Sequence, residues 1–101
     1  MADTTYVIGT LVRVSALWNV AGTPTDPATI TLRYIREQSG DEVVESFGGA
    51  VVIRDSAGAY HADIDPSAFG RWRYRWEGTG TAKGAAEGAF RVISDYYAPV
   101  P

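Results

Sequence analysis

The 101-residue chain contains no cysteine. That excludes disulfides, thiol nucleophiles, iron–sulfur clusters and cysteine-based zinc sites, and it leaves the redox compartment open. Histidine occurs once, at His61, so no multi-histidine metal site can form. No apolar run approaches the ~18–20 residues that a membrane helix needs. The N-terminus has no basic region and Arg13 interrupts the first apolar stretch, which argues against a cleaved secretory signal. The chain is therefore expected to be made and kept in the cytoplasm unless another machine carries it out. Positive charge is also short: the net charge is −3 and the pI about 4.9. Counterion release is then a poor engine for affinity, and neither nucleic acid nor a membrane is an expected partner.

Eleven glycines and five prolines, with many Val, Thr and aromatic residues, suit short strands joined by tight turns. A chain of this length is one domain that buries roughly 60–65% of its unfolded surface, so it needs no staple. The most informative stretch is Gly70–Gly78. There Trp72, Tyr74 and Trp76 alternate with Arg71, Arg73, Arg75 and Glu77, so an extended chain puts aromatics on one face and charge on the other. So much aromatic area in one strand predicts the centre of a core.

Other segments repeat the alternation. Tyr6–Trp18 reads as one long strand or as a pair broken near Gly9, with Val12, Val14, Ala16 and Trp18 inward. Ile30, Leu32 and Tyr34 point inward from the segment 28–36, and Tyr60, Ala62 and Ile64 from 59–64. Phe90 and Val92 do so from 85–93. Glu42–Phe47 is short and charged, which suits an edge strand. Laying the last hairpin around the glycine-rich connection 78–84 sets Arg75 opposite Glu87. About seven strands with no helical period predict an all-β fold, an antiparallel β-sandwich rather than a barrel.

The run Tyr60-His61-Ala62-Asp63-Ile64, then 70–80 with its Gly-Arg-Trp-Arg-Tyr-Arg-Trp-Glu-Gly core, then Glu87-Gly88-Ala89-Phe90-Arg91-Val92, resembles small immunoglobulin-like virion structural proteins of tailed bacteriophages. Val12-Arg13-Val14, Ala21-Gly22-Thr23-Pro24, Pro27 and Ile30-Thr31-Leu32 are similar to the same pattern, which extends from about Gly9 to Val92. The resemblance implies an immunoglobulin-like sandwich; the domain is read over residues 6–94 with arms at 1–5 and 95–101, the second argued from its prolines and tyrosines because the termini fall outside the resemblance. It implies a non-enzymatic accessory protein of the virion, on the capsid surface, at the head–tail junction or in the tail. Its partners would be capsid, neck or tail subunits, or further copies of itself. The alternative is a carbohydrate- or cell-surface-binding module of a tail or tail fibre. No catalytic residue, cofactor or metal comes with the resemblance.

Candidate sites each have two readings. Arg71, Arg73 and Arg75, joined by Arg33 from a neighbouring strand, form either a stripe that grips carboxylates of another subunit or a solvated face paired with Glu77 and Glu87. Tyr96 and Tyr97 form either a docking anchor or a frayed tail. Asp63 and Asp65, with Asp55 near, could serve calcium or a glycosidase, but they lack the spacing of a dedicated loop. His61 alternates outward, and no serine is marked as its partner. Trp18 follows the inward register; exposed, it would favour the sugar-binding alternative. The expected mechanism is adhesion, in which an edge strand and the two arms contact neighbouring subunits.

Overall fold

Side chains two residues apart on a strand share a face, so the apolar alternation decides which strands can cover one another. The structure, a computed structural model, describes residues 4–38, 40 and 42–93. Its strands are β1 (Thr4–Val7), β2 (Val12–Leu17), β3 (Asn19–Val20), β4 (Thr23–Pro24), β5 (Ile30–Arg36), β6 (Glu42–Ser46), β7 (Val52–Ser56), β8 (Ala59–Ile64), β9 (Gly70–Gly78) and β10 (Gly84–Ile93). Five of them form one sheet in the order β1-β10-β9-β5-β6, and three form a second in the order β2-β8-β7. β3 and β4 make only a two-residue hairpin around Ala21 and Gly22, both at positive φ, as a tight hairpin turn requires.

The architecture is an immunoglobulin-like β-sandwich, as expected. β10, β9, β5 and β6 stand where strands G, F, C and C′ stand in a variable-type domain, and β2, β8 and β7 stand where B, E and D do. Eight strands build the two sheets, against the seven or so expected. The segment 6–18 is the broken pair rather than the long strand. Gly9, at φ 93, turns the chain so that β1 joins the five-stranded sheet and β2 the other. β1 runs parallel to β10, with Thr4 beside Phe90 and Val7 beside Ile93. Thr4 and Thr5, assigned to the N-terminal arm on sequence grounds, are thus the first residues of a strand. The C-terminal arm, 95–101, lies outside the described residues.

The core is the set that alternation named, with Val52 and Ala82 added: Val12, Val14, Trp18, Ile30, Leu32, Tyr60, Ala62, Ile64, Trp72, Trp76, Phe90 and Val92 are all buried. Ala16, Tyr34 and Tyr74 pack against its margin. Trp18 is the joint between the sheets. Its ring meets Tyr60 of β8 and Trp76 of β9 edge to face, at 5.7 and 6.0 Å. Its Nε1–H donates to Gly84 O (3.3 Å), its backbone N–H donates to Gly58 O (2.8 Å) and its carbonyl accepts from Thr25 N (3.0 Å). Gly78 and Gly84 face each other across β9 and β10, and the missing side chain of Gly78 leaves the slot that the indole fills. At the start of β9, Trp72 Nε1–H donates to Ala68 O (3.2 Å), closing the corner that a tyrosine closes in many immunoglobulin-like domains.

The slot makes a sharp prediction about two glycines. A Cβ on Gly78 would fall 2.6 Å from Trp18 Nε1, whereas one on Gly84 would sit at 3.5 Å from the same ring, an ordinary contact. Gly78→Ala is expected to cost about 1–3 kcal/mol by overpacking. Gly84→Ala should stay within about 0.5 kcal/mol of the native protein in the same urea titration. Equal effects at the two positions would contradict the slot.

Candidate functional site

The register of the five-stranded sheet places the stripe of arginines. Arg33 on β5 lies directly opposite Arg75 on β9, and Glu87 on β10 lies opposite Arg75 from the other side. The hairpin register read from the sequence is therefore the one adopted. All these side chains leave the sheet on its outer face and meet there. Arg75 donates to Glu87 (2.6 Å) and to Glu77 (2.8 Å), and Arg33 donates to Glu77 (2.9 Å) and to Glu42 (3.3 Å). A chain of alternating charge, Glu42–Arg33–Glu77–Arg75–Glu87, thus runs across four strands. The hydrogen bonds from Arg75 and then Arg33 hold the Glu77 carboxyl below its ordinary range, and those carboxylates push both guanidinium pKa values up. Arg75 is thus paired within the domain with both Glu77 and Glu87.

The other end of the stripe is different. Arg71 donates to Glu37 at 2.8 and 3.3 Å, but directly across from it in β10 stands Arg91. Like charges directly opposite on one face of a sheet repel. Among the described residues, neither Arg91 nor the exposed Arg73 makes a hydrogen bond or an ion pair through its side chain. The register therefore brings Arg71, Arg73 and Arg91 to this end of the outer face, two of them without an ion pair among the described residues, on a protein whose net charge is negative. Arg91 was missed by the sequence reading, although the register that set Arg75 opposite Glu87 also sets Arg71 opposite Arg91. Tyr96 and Tyr97 lie outside the described residues.

The aspartates do not converge. Asp63 receives two hydrogen bonds from Arg13 (2.9 and 3.1 Å), which lower its pKa. Asp55 sits at a β-bulge in β7 and accepts from His61 Nδ1 (2.7 and 2.8 Å). Asp65 is exposed in the turn before β9. Among the described residues, no group of three His, Asp or Glu side chains could hold a metal ion. His61 points to the outer face of the three-stranded sheet, as alternation requires, yet its side chain, paired with Asp55, is only 12% exposed.

A second feature had no sequence signal. Between the β5–β6 end of one sheet and β7–β8 of the other lies a cleft of about 420 Å³, bordered by Pro27, Ile30, Phe47, Arg54 and Tyr60. Phe47 stands at its mouth, 49% exposed, with its ring 5.4 Å from that of Tyr60 in an edge-to-face contact. Asp26 braces the wall. Its carboxylate accepts from Arg54 Nε (3.2 Å) and Nη2 (3.1 Å), from Gly58 N (2.8 Å) and from the Tyr60 hydroxyl (2.9 Å). These donors, Arg54 foremost, lower the Asp26 pKa to about 2. Trp18, whose exposure would have favoured sugar binding, is buried in the core.

The fold and these surfaces define an immunoglobulin-like β-sandwich domain. Neither a family model nor a curated protein matches the chain. Among solved structures it is similar to a Bacteroides vulgatus protein described as a "putative glycoside hydrolase", with a TM-score of 0.62 and 18% identity. The match covers 95% of this chain and 17% of that protein, so the chain spans about a sixth of its neighbour's length. At that identity the likeness establishes the fold alone.

Because the folded pKa of Asp26 lies below its unfolded value of about 3.8, its contribution to stability is present above that value and is lost as pH falls through about 2. Asp26→Asn removes the charge at every pH. The melting temperatures of the native protein and this variant should differ most above about pH 4 and draw together toward pH 2. A difference that stays constant over that window would refute the assignment.

Proposed function

We propose that the protein is a non-enzymatic accessory component of a phage particle, an immunoglobulin-like module that attaches through its surface to capsid, neck or tail subunits. The observation that carries the reading is the cluster of Arg71, Arg73 and Arg91. Arg33 and Arg75 also face each other, but Glu77 bridges them, whereas Arg91, facing Arg71, has no carboxylate partner among the described residues and stabilises nothing there. A carboxylate-bearing neighbour gains a set of planar, permanently charged forks. The resemblance of 9–92 to small virion proteins and the immunoglobulin-like fold support the same reading. The weak contacts of one such domain become firm when many copies attach side by side on a repetitive particle.

Two measurements test it. Mass spectrometry of purified particles should find the protein at a fixed ratio to the major capsid subunit; its absence from washed particles would sink the reading. Arg91→Glu replaces a like-charged pair with an opposite one, so it should raise the melting temperature while lowering the copy number on particles. A variant that gains stability and attaches normally would remove the cluster from the interface.

A further inference from the structure

The sheet edge next to the cleft carries a site of its own. β6 ends the five-stranded sheet, so among the described residues one side of its backbone has no partner strand. Its register with β5 decides which groups are free. Phe47 N donates to Ile30 O, so in this antiparallel ladder Phe47, Glu45 and Val43 turn their backbone groups toward β5. Glu42, Val44 and Ser46 turn theirs outward. The exposed edges of sheets are usually blunted by lysine, proline or a bulge. β6 has no lysine, proline or bulge; its protection is its shortness and the charge of Glu42 and Glu45, set among exposed apolar side chains at Val43 (39%), Val44 (47%) and, just beyond its end, Phe47 (49%).

The inner face of this edge has a defined pattern. Val43, Glu45 and Phe47 alternate there, with Phe47 at the mouth of the cleft. Glu42, on the outer face, is neutralised by Arg33, but among the described residues Glu45 has no ion pair. A second copy of β6 laid antiparallel would add further carboxylates to the strip and satisfy none. The complementary occupant is a strand with a cation opposite Glu45 and apolar residues two positions to either side.

We propose that β6 and the adjoining cleft accept an extended segment of another protein as an added strand, with an apolar–basic–apolar pattern on the face that meets Val43, Glu45 and Phe47. Main-chain bonds to Val44 and Ser46 would supply affinity, and the alternate side chains would supply selectivity. The inference deepens the adhesive reading above by naming the chemistry of a partner. Its test uses synthetic peptides, so its failure is distinct from failure to find the protein on particles.

The probe is the capped heptapeptide Thr-Val-Thr-Lys-Thr-Val-Thr, whose palindromic order serves either strand direction, titrated into the isotopically labelled full chain and followed by amide chemical shifts. Saturable shifts centred on Val44 and Ser46 are expected, with at least tenfold weaker binding of the peptide that carries a central glutamate. Val44→Pro removes an outward N–H and no ladder bond to β5, so binding should vanish in a protein that keeps its native spectrum elsewhere. Glu45→Lys should reverse the preference between the two peptides by a similar factor. Shifts located on another surface, no saturable shift up to millimolar peptide, or an unchanged preference in Glu45→Lys would overturn the proposal. So would a concentration-dependent dimer abolished by Val44→Pro, which would make the occupant a second copy.

Discussion

The two sheets are held in register by one tryptophan and the absence of one side chain. Trp18 stands outside both sheets, between the last residue of β2 and the first of β3, and it reaches into each. Its indole fits because β9 ends in Gly78, where a Cβ would meet the ring at 2.6 Å. The backbone on either side of it is tied to the β7–β8 turn at Gly58 and to the loop that carries Asp26 through Thr25. In a domain without cysteine, this knot of aromatic contacts and main-chain bonds occupies the role that an inter-sheet disulfide occupies in antibody domains. A second glycine position follows the same logic. Tyr74 lies over Gly88, its partner in register, where any larger residue would collide with the ring.

Charge on the long sheet is sorted by position. Where β6, β5, β9 and β10 lie side by side, carboxylates and guanidinium groups alternate across the strands and each satisfies the next. There Glu77 bridges the facing Arg33 and Arg75; toward the corner that leads into β9 the alternation stops, and Arg71 faces Arg91, which has no ion pair among the described residues. The same strand therefore carries a neutral half and a basic half, although its sequence spaces the arginines evenly.

Much of this was legible in advance, because period-two alternation is a local property. Residues such as Leu32, Tyr60 and Trp76 declared their burial through their neighbours two positions away, and the glycine-rich connection fixed the last hairpin well enough to pair Arg75 with Glu87. The division of 6–18 between two sheets was not legible, since a strand and a strand pair share the same alternation and only the positive φ of Gly9 separates them. Asp26 lay in what reads as an ordinary proline-punctuated loop. Its four donors come from β7, the β7–β8 turn and β8, and nothing near position 26 announces them. The cleft is invisible for the same reason, being made of separations of many residues rather than of spacing.

The parallel pairing of β1 with β10 has a mechanical meaning. The chain enters β1 at Thr4, level with Phe90, and β10 leaves the sheet at Ile93, level with Val7. Tension applied through the two ends therefore drags these strands past each other along their length. The bonds between them, closed by Ile8 N to Ile93 O, carry that load together instead of opening one after another like a zip. For a domain loaded in this direction, the response to force follows the rate at which these bonds break together rather than the equilibrium stability.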